Sequence, residues 1–337
     1  MLAFAEIALR TLGPFWFALV AIATVLFLGW LSGAIRYIPN RRVGVVEKLW
    51  SGSGSIAAGL IARSGEAGYQ PGVLRGGLHF MMPLQYRVHS VPLVTIPQGQ
   101  IGYVFARDGV PLPPTQTLGS AANPIDFGDA AAFLRDGGQR GPQRQIVREG
   151  TYAVNLAQFV VLTASRVYSL PLERSEVQVL ANMAELIGER GGFEPVVIQG
   201  KDDQIGVVTV HDGPSLRPGE IIAPTVGDEP SRPDTYHNTF QDPEKFLRAG
   251  GMRGRQLQVL VEGTYYINRL FATVELIPKT VVEVGNVGVV VSYTGETGKD
   301  LSGEDYRHGE LVGVSHAVYG ACHSCRASTP STPTPAR

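Results

Sequence analysis

The residues of this chain that could do chemistry are few and scattered. The densest group is Cys322-His323-Ser324-Cys325, with His308 and His316 upstream. A Cys-x-x-Cys pair serves thiol–disulfide exchange or supplies half of a zinc site. Exchange calls for a helix N-terminus after a strand, which the surrounding residues do not suggest. Zinc calls for a second ligand pair, and only His308 and His316 are near. Cys322 and Cys325 therefore stand as a weak metal or redox candidate. His79, His89, His211 and His237 are isolated in sequence and read as structural residues. Ser51 to Ser55 reads SGSGS, which is neither G-x-G-x-x-G nor a Walker loop. G-x-S-x-G and H-E-x-x-H do not occur. Asp202-Asp203 reads as a turn. The expectation is a protein without catalytic residues, resident metal or cofactor, and not an enzyme.

The elements that would position any site begin with an apolar run. Between Arg10 and Arg36 lie 25 residues without a charge, Thr11 to Ile35. About 20 apolar residues suffice to cross a bilayer core of roughly 30 Å. The run predicts a single transmembrane helix. Its anchoring contacts are Phe15, Trp16, Phe17, Phe27 and Trp30, with the two tryptophans near the ends. A signal peptide would have a shorter apolar region behind a basic start, whereas Glu6 and a single Arg10 precede this one. Arg36, Arg41, Arg42 and Lys48 come after it, which places the bulk of the chain in the cytoplasm. The whole chain of 337 residues is charge-poor, at 18% against the usual quarter or so. Lys+Arg 29 against Asp+Glu 30 gives a net charge of −1, so no basic field invites nucleic acid. Gly 41 and Pro 23 imply many turns and favour β-structure. Two cysteines exclude a disulfide framework.

The body repeats itself. Phe133–Asn155 (FLRDGGQRGPQRQIVREGTYAVN) aligns without gaps on Phe246–Asn268 (FLRAGGMRGRQLQVLVEGTYYIN). Extended back to Phe127 and Phe240, 16 of 29 positions are identical. Asp129 and Asp242 are suited to N-caps and Pro243 to a first helical position. A short helix, a Gly-Gly stop and a strand–turn–strand through Glu-Gly-Thr-Tyr come next. A second pattern reads IPNRRVGVV, IPQGQIGYV, KDDQIGVVTV and VEVGNVGVVV. Gly44, Gly102, Gly206 and Gly288 lie inside these strands, where glycine marks a bulge or a close backbone approach. Glu173 to Glu189 predicts an amphipathic helix, with Val179, Leu180, Met183, Leu186 and Ile187 on one face. Asp212 to Asp234 reads as loop. The resulting division is an anchor (1–36), a first β region (37–126), a first Glu-Gly-Thr-Tyr unit with its helix (127–200), a second β and Glu-Gly-Thr-Tyr unit (201–281), the start of a third, incomplete unit (282–312) and an unstructured tail (313–337). The tail loses strand alternation and holds both cysteines, and it reads as a candidate frameshift product of a longer chain.

The start of the chain resembles the SPFH or Band 7 superfamily of stomatins, prohibitins and flotillins. The residues that carry this are Gly44-Val45-Val46, then Gly76-Gly77-Leu78-His79-Phe80 with Pro83, then Val88, Val91 and Val94. Gly77 stands where that pattern often has Pro-Gly. The duplicated Glu-Gly-Thr-Tyr-x-x-Asn units look more specifically like large bacterial flotillin-like proteins, over about residues 12 to 312. The sustained heptads of flotillin-like coiled coils are lacking. The resemblance implies an α+β, β-rich, SPFH-like fold: one transmembrane helix, then repeated small β-modules with short helices. It implies a homo-oligomeric scaffold of the bacterial cytoplasmic membrane that organises microdomains and confines membrane proteins. Its partners would be the lipid bilayer, further copies of itself and a small NfeD-like membrane protein. Phe80, Met81 and Met82 are candidates for additional membrane contact, and ordinary core packing suits them equally. The alternatives are a membrane-tethered binding module facing the envelope and, more weakly, a Cys-x-x-Cys redox or metal protein.

Overall fold

The computed structural model describes residues 16–25, 27–30, 33–120 and 127–288. The chain is β-rich with a few helices, as its turn-rich composition implies. The expected transmembrane helix needs correction. Among the described residues no helix is long and apolar enough to cross a membrane. The helical part of the apolar run, α1, covers residues 16–25 and 27–30. The run is also not helical to its last residue. Gly33 takes a left-handed φ of 78°, its N–H donates to Trp30 O at 3.1 Å, and Ala34 N–H donates to Gly29 O at 2.9 Å. That pairing is a Schellman stop. It diverts Ile35, the last residue of the run, into a strand.

The described residues divide into two compact units: those up to Pro195 together with Tyr266–Phe271, and Val196–Tyr265 together with those from Ala272 on. A five-strand module underlies both. Its first copy comprises β1 (Ile35–Ile38), β2 (Arg42–Lys48), β3 (Gly68–Leu74), β4 (Gly77–Phe80) and β5 (Tyr86–Pro92). Strand β1 pairs with β4 as a ribbon, and β3-β2-β5 form a sheet. The second copy uses β6 (Val94–Ile96), β7 (Gly102–Ala106), β8 (Gly141–Val147), β9 (Gly150–Tyr152) and β10 (Phe159–Leu162). Here β6 pairs with β9, and β8-β7-β10 extends to β11 (Val167–Tyr168). The third uses β12 (Val196–Ile198), β13 (Gln204–Val210), β14 (Gly254–Leu260), β15 (Gly263–Tyr265) and β16 (Ala272–Pro278). Again β12 pairs with β15, and β14-β13-β16 form the sheet. Every pairing between these strands is antiparallel.

Three residue types make the module. The first is the strand glycine. A Cβ on Gly102 would lie 2.5 Å from Ile96 Cδ1; on Gly44, 2.5 Å from Ile38 Cδ1; on Gly206, 3.1 Å from Ile198 Cδ1 and 2.8 Å from Val274 Cγ1. The isoleucine that ends the ribbon strand thus folds over the central strand, and only glycine leaves it room. The second is a glutamine at the start of the third strand. Gln70, Gln143 and Gln256 each donate through Nε2 to the carbonyls four and two residues back, at 2.7–3.2 Å. The third closes the tight turn. Tyr152 OH donates to Arg148 O at 3.2 Å and Tyr265 OH to Val261 O at 3.1 Å. In the first copy His79 Nε2 makes the same link to Arg75 O at 2.7 Å.

Local helices obey the expected capping. Helix α2 (Ala130–Arg135) is capped by Asp129, which accepts from Ala132 N–H at 3.0 Å. Helix α4 (Pro243–Arg248) is capped by Asp242, which accepts from Lys245 N–H at 3.1 Å, with Pro243 in its first turn. Phe133 and Phe246 are buried beneath the two helices. Helix α3 (Arg174–Glu189) matches the predicted span and buries Leu180, Met183 and Ile187, while Val179 faces out. Its first turn is locked by Glu176. The carboxylate accepts from Glu173 N–H at 2.9 Å and pairs bidentately with the buried Arg107 at 2.7 and 2.9 Å. Burial works to raise the Glu176 pKa. The bonds from Arg107 and Glu173, with the Arg107 charge, outweigh it and hold the carboxyl below the ordinary range.

In the second unit the fully buried His237 organises the loop before α4. Its Nε2 donates to Val226 O at 2.7 Å, and its Nδ1 accepts from Phe240 N–H at 2.8 Å. Those roles require the neutral ring. Burial is the main cause of a pKa below the ordinary histidine value.

The packing makes two outcomes measurable. Gly102→Ala should cost about 1–3 kcal/mol, read as a lower urea midpoint. Combined with Ile96→Val, which removes the colliding methyl, it should cost little beyond Ile96→Val alone; strict additivity would refute the close-approach account. The second outcome concerns His237. Its pKa is lower in the folded than in the unfolded chain, where it is about 6.5. The unfolded chain therefore binds more protons in the interval between the two values, and stability falls as pH drops through it. His237→Gln should flatten that part of the stability–pH curve; an unchanged slope would count against it.

Candidate assembly and membrane-facing surfaces

A backbone clamp recurs along the modules. In each copy the register between second and third strands slips at the same place. Val45 pairs with Val73 and Glu47 with Tyr69. Tyr103 pairs with Ile146 and Phe105 with Pro142. Val207 pairs with Val259 and Thr209 with Arg255. Two steps on one strand thus oppose four on the other, so two extra residues bulge from each third strand. A bulge takes backbone groups out of the ladder, and buried carbonyls need donors.

Asparagine supplies them. Asn155, fully buried, donates through Nδ2 to Gln70 O at 3.0 Å and Pro71 O at 2.9 Å, both in the first bulge. Asn268, also buried, donates to Gln143 O at 3.0 Å and Arg144 O at 2.7 Å, in the second bulge. Each Oδ1 accepts a local backbone N–H, from Ala157 at 3.0 Å and from Leu270 at 2.9 Å. Both asparagines end a Glu-Gly-Thr-Tyr-x-x-Asn segment. The second clamp lies within the first unit, to which Tyr266–Phe271 belongs. Around it, Arg148 sits over the Tyr266 ring at 4.6 Å, and Tyr266 OH donates to Glu149 at 3.1 Å. The end of α3 also receives this segment: Arg190 Nη1 donates to Leu270 O at 3.2 Å, and Arg269 Nη2 to Glu194 O at 3.1 Å.

The other surface is apolar and lies at the first module. On the β1–β4 ribbon, Tyr37 faces Leu78 and Ile35 faces Phe80. The ladder continues with Met81 N–H donating to Ala34 O at 2.8 Å. Tyr37 is 71% exposed, Phe80 72% and Leu84 81%. Leu78 and Met82 are exposed between them, and Leu49 and Trp50 join through Leu49 N–H to Gln85 O at 2.8 Å. On α1, Trp16, Phe17, Phe27 and Trp30 are all exposed, Phe17 at 80%. Its described residues include no charge. A helix apolar all round is stable only in an apolar setting.

The structure therefore brings Phe80 and Met82 to the surface and leaves Met81 half-buried in the ladder. Among the described residues Phe80 and Met82 lie outside the core. Phe15, Cys322 and Cys325 lie outside the described residues, as do residues 289–312 of the expected third unit and the 313–337 tail. The first copy of the module is not visible in the alignment of the Glu-Gly-Thr-Tyr units. A signal for it exists: Gly68-x-Gln70, Gly141-x-Gln143 and Gly254-x-Gln256 each precede a second glycine nine residues after the first, at Gly77, Gly150 and Gly263. His79 in the tyrosine place and Met82 in the asparagine place hide it. Searches of family models, curated proteins and solved structures found no match to this chain.

The clamp predicts that Asn155→Asp and Asn268→Asp each cost about 2–3 kcal/mol, because donors are lost and a carboxylate faces two carbonyls. Part of the loss should return on acidification, as a neutral carboxyl regains one donor. Urea denaturation at two pH values checks this; identical losses at both would refute the donor argument.

Proposed function

We propose that this chain is an oligomeric scaffold of the bacterial cytoplasmic membrane, built to organise microdomains and confine membrane proteins. One observation carries the reading: a module repeated in series, whose first copy has an uncovered apolar face beside an apolar helix. Leu78, Phe80, Met82 and Leu84 line that face. Arg36, Arg41, Arg42 and Arg75 lie close to it in sequence, where cations favour anionic headgroups. The modules would form the wall and this face would meet the lipid surface. Copies of the chain would pair laterally. A small NfeD-like membrane protein is the partner that the SPFH resemblance suggests. Large assemblies hold membrane proteins by exclusion, which requires no catalytic group.

The test is co-flotation of the protein with vesicles containing anionic lipid. Leu78→Ser/Phe80→Ser/Met82→Ser should lower the vesicle partition constant by well over tenfold, since even one buried side chain contributes about 1.5–3 kcal/mol. Far-UV circular dichroism should not change. Undiminished flotation of that variant would remove the face from the account. A monomeric particle after gentle detergent extraction would sink the scaffold.

A further inference from the structure

The third module carries the same bulge as the first two, and the described residues provide no asparagine for it. Gln256 stands where Gln70 and Gln143 stand, with its amide folded back on Met252 O and Gly254 O at 2.8 Å each. The register slip at Val207/Thr209 places Gln256 and Leu257 where Gln70–Pro71 and Gln143–Arg144 lie. In the first two bulges these carbonyls receive Asn155 and Asn268. In the third no Asn side chain of the described residues reaches them. Beside them Gln258 Oε1 is buried without a hydrogen-bond partner.

We infer that this bulge is a docking site for a further Glu-Gly-Thr-Tyr-x-x-Asn hairpin, whose asparagine amide bridges Gln256 O and Leu257 O. The occupant is set by continuity with the two clamps already formed. The bulge geometry recurs, and one side chain satisfies both carbonyls each time. The chain after β16 points the same way. A Cβ on Gly288 would lie 3.2 Å from Val282 Cγ2, the six-residue contact that Ile38–Gly44 and Ile96–Gly102 make. Val282, Val284 and Val287 are exposed. At the opposite end Met82 replaces the asparagine, so the first copy can receive a clamp and cannot give one. Growth of the array therefore has a direction: each new module brings the donor, and the existing one presents the carbonyls. This holds whether or not the assembly meets lipid.

The experiment uses the full chain and a fluorescein-labelled peptide of sequence EGTYYINRL, linear and as a disulfide-closed hairpin, with a benzophenone at its N-terminus. Saturable anisotropy is expected for the better-formed peptide, with photo-crosslinks in Gly254–Leu260. The peptide with aspartate for asparagine should bind at least about tenfold more weakly, as lost donors face two carbonyls. Equal binding of the two peptides would overturn the proposal. So would crosslinks confined to Gly141–Val147, which would mean displacement of Asn268, and so would absence of saturation with both linear and closed forms.

Discussion

Two extra residues in the third strand of each module impose the constraint on which much else depends. They throw a pair of backbone carbonyls out of the ladder, and a buried carbonyl without a donor costs about 1–3 kcal/mol. A primary amide answers this well: its two N–H groups reach both oxygens, and its own oxygen turns back on the local backbone. Asn155 and Asn268 do this. The donor comes each time from a segment later in the chain than the bulge. The defect in one strand thus selects the segment that packs on it, which turns a liability of sheet edges into a rule of succession.

The strand glycine and the glutamine serve the same end from inside the module. With no side chain on Gly44, Gly102 or Gly206, the ribbon folds across the sheet and its isoleucine fills the space. Gln70, Gln143 and Gln256 tie the start of the third strand to itself, so the adjoining bulge has a fixed position. Arg107 and Glu176 then fix α3, whose end receives the segment that carries Asn268. The first copy has no asparagine at the corresponding position. Met82 stands in that place, and neighbouring Leu78, Phe80 and Leu84 are uncovered.

The local pieces follow from neighbouring residues alone. Asp129, Asp242 and Pro243 announced two helix starts, and the spacing of Leu180, Met183 and Ile187 announced α3, because capping and helical period act within a few residues. The duplicated Glu-Gly-Thr-Tyr segment was legible as identity at a constant offset, and the strand glycines as close approaches. The apolar run was legible too, but an uninterrupted lack of charge does not reveal that Gly33 ends the helix and Ile35 begins a strand. That Ile35–Pro92 is a copy of the same module emerges from strand pairing alone, since His79 and Met82 differ from Tyr and Asn while backbone pairing is indifferent to them. The folded chain alone shows what the asparagine of Glu-Gly-Thr-Tyr-x-x-Asn is for. Its acceptors lie 84 and 85 residues away for Asn155, and 124 and 125 for Asn268. They are carbonyls, which every residue carries and no letter of the sequence distinguishes.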